Sequence, residues 1–325
     1  MKQAAFEQLH GPTWKSLEAL LQILEQGQVP DPAEQRQFTS LFRKVCHFHA
    51  LAKDRHYSSF LVDHLDDLVV RAHQQLYRRK HPVLYPLLQF IVRDFPARVR
   101  AERQAVLWST LLFVGPLLVF WLGVIASPEL VYTVLSPLNA ANMESMYNPE
   151  NRVLGAARDA DTNWGMFGFY IYNNISVAFR TFASGLLLGL GSGFFLVYNG
   201  ALIGAVSGHL TNVGFTTPFF TFVIGHGSFE LTAIVLAGAA GLKIGYALLV
   251  PGQLTRLQAL QQSAQGAIEL VYGVILMLLI AAFIEAFWSS NNLFAPWQKY
   301  TVGALLWALV LGYLFSSGRR WESGR

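Results

Sequence analysis

Charged side chains are scarce in this chain: Lys, Arg, Asp and Glu make up 14% of 325 residues, against about 25% in soluble domains. Cysteine is nearly missing, because Cys46 stands alone. No intramolecular disulfide and no thiolate cluster of zinc spacing can therefore form. The N-terminus also lacks a continuous apolar run. Leu17, Leu20, Leu21 and Leu24 form a run interrupted by Glu18 and Gln22, the pattern of a helix and not of a signal peptide, so the N-terminal part is expected to stay on the side where it is made. These shortages exclude a disordered chain and an ordinary soluble enzyme of this length.

What charge there is lies unevenly. Residues 1–104 hold 15 Lys or Arg and 11 Asp or Glu, a quarter of that segment, while the other 221 residues hold nine of each sign. Two materials are joined: a helical cytoplasmic domain over 1–104 and a transmembrane domain over 105–317, followed by a basic cytoplasmic tail, 318–325. In the first, apolar residues at three- and four-residue steps predict a helix over 13–26 stopped near Gly27 and Pro30. Asp31 and Pro32 open a second helix, since aspartate caps and proline suits the first helical position. A third runs from Ser58 or Ser59 to Arg79 and breaks at His81-Pro82. The basic stretch Ala97 to Arg103 suits an anionic membrane surface. Six histidines between His47 and His81 are spaced irregularly, as on a solvated surface.

The fold class expected is all-α: a polytopic helical membrane bundle of about six spans behind a helical cytoplasmic domain. Residues 105–126 carry no charge and are long enough to cross a bilayer core about 30 Å thick. An extracytoplasmic loop follows over 127–172, with Glu129, Glu144, Glu150, Asp159 and Asp161 against Arg152 and Arg158. Further spans are expected at 175–197, 200–224, 227–249, 267–288 and 300–316, with breaks at Asn199-Gly200 and Gly225-His226-Gly227. Segment 200–224 either crosses or re-enters as two half-helices. An even number of crossings puts Lys243, Arg256 and the tail arginines on the side of the basic N-terminal domain, as the positive-inside rule requires.

Small residues recur every fourth position, at Gly185, Gly189 and Gly193, at Gly200, Gly204 and Gly208, and at Gly241 and Gly245. In lipid such stripes let helix backbones touch, within one bundle or between chains. His226 and Glu230 share one helix face at i and i+4 and form a candidate polar site within the membrane. Asn199, His209, Asn212 and Lys243 are candidates to approach it. Structural pairing, a proton or ion relay and catalysis all remain open for this pair. A metal needs a third ligand, and Ile234 stands where a second zincin-like histidine would; no metal or cofactor is expected. Ser228 lies between His226 and Glu230 in sequence but points away from both on a helix. Glu269 and Glu285 fall near the ends of one span, where carboxylates reach water, although Glu285 can instead pair across the bundle. Arg180 needs a partner or must snorkel outward.

Several segments occur together in order: Asn173-Asn174-Ile175-Ser176-Val177-Ala178-Phe179, the Gly185 to Gly189 run, Asn199-Gly200 with Gly204, His226-Gly227-Ser228-Phe229-Glu230-Leu231, Ala237-Gly238-Ala239-Ala240-Gly241-Leu242 and Ile284-Glu285-Ala286-Phe287. With this set the chain resembles the stage II sporulation protein M family of bacterial membrane proteins across most of 105–317. Its N-terminal part, with Asp94-Phe95-Pro96, looks like the extension of members from non-sporulating bacteria. The resemblance implies a multi-pass protein of the bacterial cytoplasmic membrane, with Asn173, Asn174, Gly227 and Glu285 as motif residues. The founding member is a non-enzymatic scaffold that holds peptidoglycan-degrading enzymes at the engulfing membrane. For this chain the implied roles are a scaffold or assembly factor of the cell envelope, or a transporter using His226 and Glu230, with an intramembrane hydrolase ranked last. The expected partners are the lipid bilayer and either further copies of the chain or envelope proteins, with no nucleic acid.

Overall fold

The computed structural model describes residues 1–26, 31–76, 84–151, 160–291 and 293–317. Every regular element among the described residues is helical, and the chain divides into two compact units, Met1–Pro86 and Leu87–Arg325.

The first unit is built from α1 (Gln3–Glu25), α2 (Pro32–Asp54) and α3 (Ser59–Leu76). Apolar residues at helical spacing meet in one core of Phe6, Trp14, Leu17, Leu21, Val45, Phe48, Leu65 and Leu68. Helix α1 begins ten residues before the expected Thr13 and runs through Pro12. Burial explains the extension, since Phe6 packs edge-on to Phe48 with ring centres 6.0 Å apart, which outweighs the local cost of a proline. The expected stops at Gly27, Pro30 and His81-Pro82 lie outside the described residues.

A short helix, α4 (Leu84–Gln89), contains the boundary between the units and passes through a π turn, Phe90–Asp94, into α5 (Phe95–Ala101) of the second unit. The basic stretch expected on a membrane surface is largely α5, and it is packed into the bundle. Phe95 and Val99 are buried. Gly273 makes this possible, because a Cβ there would lie 1.9 Å from the Phe95 ring. Then follow α6 (Arg103–Ala126), α7 (Pro137–Tyr147), α8 (Ala160–Ala183), α9 (Leu190–Asn212), α10 (Thr216–Leu249), α11 (Arg256–Phe283), continued by a π turn over Ile284–Ser289, and α12 (Pro296–Ser316). Arg152, Arg158, Asp159 and the tail arginines lie outside the described residues.

Among the described residues five helices are long and apolar enough to cross a membrane: α6, α9, α10, α11 with its π turn, and α12. Their outward faces are apolar as well, with Trp108, Val119, Leu122, Leu190, Leu305 and Phe315 more than half exposed. Water would not tolerate so continuous an apolar surface, whereas hydrocarbon would. Helix α8 is long enough to span, but Asn173, Asn174 and Arg180 make it less apolar.

The boundaries between helices differ from those expected. The chain does not break at Asn199-Gly200 or at Gly225-His226-Gly227. It turns at 187–189, where Leu188 and Gly189 adopt φ of 55° and 83°, and again at 213–215, where Gly214 has φ of 92°. Neither a full span over 200–224 nor a re-entrant pair forms, since α9 ends at Asn212 and α10 runs 34 residues without interruption. The expected breaks are glycines used for packing. A Cβ on Gly200 would lie 2.2 Å from Phe113 O, and one on Gly204 2.2 Å from Leu117 O. Gly208 faces Trp121 O in the same way, so this stripe seats α9 against α6. Gly185 abuts Gly241, and Gly189 abuts Gly245. Only Gly193 of these eight has open space beside it.

Contacts at the two ends show that the helices of the unit alternate in direction. At one end Lys243 pairs with Glu102, Arg98 with Glu269, and Arg100 donates to Leu314 O. At the other end Asn212 donates to Val124 O at 2.8 Å, and Lys299 to Ser289 O at 2.8 Å. Helix α8 runs between the same ends, since Trp164 packs on Phe287 with ring centres 5.2 Å apart and Gly185, just past α8, abuts Gly241. Among the described residues six helices, α6 and α8 to α12, thus traverse the unit, with Arg103 and Ser316 at the same end.

Candidate functional site

The site is assembled around one turn of α10. His226 and Glu230 stand one turn apart on it, with His226 Nε2 3.9 Å from Glu230 Oε2. That separation is too long for a hydrogen bond. From α11 the π turn brings Glu285 and Ser289 to the same place, and π turns of this kind recur at functional positions because the extra residue re-aims side chains. Ser289 Oγ lies 3.0 Å from His226 Nδ1. His226, Glu230 and Glu285 each offer a ligand atom, and these atoms all lie within 4.8 Å of one another. Among the described residues this is the group of His, Cys, Asp and Glu side chains close enough to hold one cation.

The surroundings are buried and polar. Asn174 of α8 is 3% exposed and lies beside Glu285. The Asn174 amide faces the Glu285 carboxyl, yet neither Asn174 Nδ2 nor Glu285 Oε2 makes a hydrogen bond of good geometry. Each is costly to leave so, by about 1–3 kcal/mol or more for a charged group. Lys299 of α12 is 6% exposed and reaches Ser289 from behind through the carbonyl described above. Phe222, one turn before His226, sets its ring edge-on to the imidazole at 5.2 Å. Tyr147 of α7 covers this face, its phenol pushed above the usual range by burial and by the nearby carboxylates Glu285 and Glu230. It therefore stays neutral at ordinary pH. A cavity of about 310 Å³ lies between α7, α10 and α12, lined by Tyr147, Thr221, Phe222, Ser289, Pro296 and Lys299.

The structure places the other candidates elsewhere. His209 binds Glu144 of α7 through Nε2 at 2.7 Å, and Asn212 caps the end of α6. Asn199 donates to Phe195 O in its own helix at 2.7 Å. Lys243 belongs to the charged end of the unit with Glu102, where Gly266 leaves room for its ammonium group. All four residues point to the ends of the bundle or back to their own backbone, so none approaches His226 or Glu230. Asn173 donates to Asn174 Oδ1 at 3.1 Å and so orients that amide. Gly227 faces Val223 and Leu231 of its own helix. Ser228 donates to Gly225 O at 2.8 Å and forms no triad with its neighbours. Arg180 turns back to Ser176 O at 3.1 Å.

The third ligand group comes from a distant segment. Reading α10 alone requires a further ligand at Ile234, whereas Glu285 supplies it from 55 residues away in sequence. Its place in Ile284-Glu285-Ala286-Phe287 is a sequence signal, and so is Asn174. Ser289, Lys299 and Tyr147 carry none.

The sequence model of the family described as Stage II sporulation protein M matches residues 109–290. That stretch contains Asn174, His226, Glu230, Glu285 and Ser289. Residues 4–78 match a family described as a domain of unknown function, DUF8413. An uncharacterized protein of Methanocaldococcus jannaschii is 27% identical over 123 residues, covering 37% of this chain and 69% of that protein. No solved structure matches the chain.

Proposed function

The chain belongs to the stage II sporulation protein M family, and from that premise we propose that it is a non-enzymatic integral membrane protein that binds and passes a small cation, proton or metal, through its buried polar centre. One observation carries this reading: His226, Glu230 and Glu285 converge inside the membrane-crossing part with a carboxylate oxygen and an amide nitrogen unpaired. A bundle that needed only rigidity would fill such a place with apolar side chains, because ionisable groups at depth are expensive. The cavity lined by Ser289 and Lys299 lies beside this centre, toward the end of the unit where α6 and α9 finish.

The protein is proposed to sit in the bacterial inner membrane, crossing it six times. The end bearing Arg98, Arg100, Arg103, Lys243 and Arg256 faces the cytoplasm, and both termini with it. The cavity then opens outward.

A proteoliposome assay tests the reading. Vesicles carrying the protein should dissipate an imposed proton or divalent-cation gradient faster than empty vesicles, and Glu230→Gln reconstituted in equal amount should return the rate to that of empty vesicles. Wild-type vesicles no leakier than empty ones to either gradient would remove the proposal.

A second reading, an envelope scaffold or assembly factor, is favoured by the N-terminal unit. This charged helical body matches a family of its own and leaves Phe60 85% and Leu9 61% exposed. Such side chains suit a protein partner. Under this reading a pull-down from the native membrane loses its partner when Phe60 is changed to Ser and keeps it in Glu230→Gln.

A further inference from the structure

We infer that the cation held at this centre is a divalent first-row transition-metal ion such as Zn2+, bound by His226, Glu230 and Glu285. The inference rests on the cation-handling reading above and names the class of ion.

The donor set argues for it. One imidazole nitrogen with two carboxylate oxygens is the ligand chemistry of zinc, manganese and ferrous iron. Calcium and magnesium prefer shells made only of oxygen, about six or more. The spacing agrees. Ligands about 2.0–2.2 Å from a shared zinc ion lie about 3.3 Å apart in a tetrahedron. The 3.9 Å between His226 Nε2 and Glu230 Oε2 is therefore wide for a hydrogen bond and close to what a bridging ion spans. Small rotations of three side chains would complete the contact.

The orientation of His226 agrees too. A ligating histidine donates its other N–H to a fixed acceptor, which sets the tautomer and aims the free lone pair. Ser289 Oγ at 3.0 Å from Nδ1 fills that role, and Lys299 in turn fixes the Ser289 backbone. With Nδ1 donating, Nε2 presents a lone pair to two carboxylates. Three electron-rich atoms then face each other with nothing between them. A cation that displaced the protons of these two buried carboxyl groups would face two negative charges, which a doubly charged ion balances. Glu285, 8% exposed with Oε2 unpaired, is what such an ion would satisfy. Three protein ligands leave a fourth position open, and the neighbouring cavity can supply water or an entering ligand there.

The experiment uses the full-length protein in detergent or nanodiscs, stripped with a chelator and titrated with Zn2+ alone. Bound zinc is counted after desalting, and melting is followed with and without the ion. The expected result is one tight equivalent per chain that raises the melting temperature. Both effects should be lost, with affinity falling at least tenfold, in His226→Ala and Glu285→Gln. Glu144→Gln, which lies outside the centre, should keep them. Zinc bound equally by all four proteins, or by none, overturns the inference, since surface histidines of the N-terminal unit would give the first result. If Glu285→Gln does not fold, Glu230→Gln reads the same quantity. Proton flux without zinc binding would reject the metal and leave the cation reading standing. Zinc binding without flux would do the reverse.

Discussion

At the scale of single residues, the centre turns on groups whose hydrogen bonds are missing. Glu285 and Asn174 occur in recognisable motif segments, and their participation was legible there. Their partners were not, because Ser289, Lys299 and Tyr147 are ordinary residues whose meaning comes only from where the helices cross. The pairing of His226 with Glu230 was legible from the i, i+4 spacing alone. Whether it made a hydrogen bond was not, since 3.9 Å depends on side-chain rotamers. A different residue pair shows electrostatics in the first unit. Arg71 grips Glu25 with two hydrogen bonds of 2.8 and 2.9 Å, which holds the Glu25 carboxyl below its usual value of 4.5. A carboxyl with a lowered folded value stabilises above its unfolded value, and the contribution disappears as pH falls through the folded one. Arg71→Ala should therefore cost under about 1 kcal/mol at pH 7, because the pair is exposed. The deficit should vanish in acid below the ordinary glutamate range. Hydrogen exchange of α1 and α3 across that range measures it.

At the scale of elements, helix content and amphipathic faces follow from the sequence, and so do the helix starts at Pro32 and Ser59. The turns do not. No proline or charge marks 187–189, and the glycines around it look like those of a packing stripe. Gly189 serves both purposes, as turn residue and as contact for Gly245. Conversely, Gly225 and Gly227 suggest a break by soluble-protein rules, yet α10 continues through them. Glycine in a membrane helix more often marks a close contact than an end. The contacts predict a contrast within one helix, α9. Gly204→Ala should destabilise by about 1–3 kcal/mol, since its Cβ would meet the Leu117 carbonyl and backbone cannot yield cheaply. Gly193→Ala has open space and should be neutral or stabilise by up to about 1 kcal/mol. Resistance of the purified variants to heating in detergent checks both.

At the scale of the whole molecule, the contrast between a charged N-terminal part and an apolar remainder predicts a boundary after residue 104, whereas the two compact units divide between Pro86 and Leu87, because the basic stretch packs through Phe95 and Val99. The glycine stripes seat helices inside one chain, so they no longer require a second copy. What the arrangement leaves unexplained by packing is the polar centre. Holding ionisable groups there strains the folded protein and a bound cation relieves that strain, so stability and activity should move in opposite directions. The most direct test is the melting temperature of Glu285→Gln in the presence of a chelator, measured beside its flux in proteoliposomes. The account predicts a variant that melts about 2–4 °C higher for each kcal/mol of relieved strain while conducting no better than empty vesicles. A variant that melts lower and still conducts as wild type would contradict it, making Glu285 a structural tie.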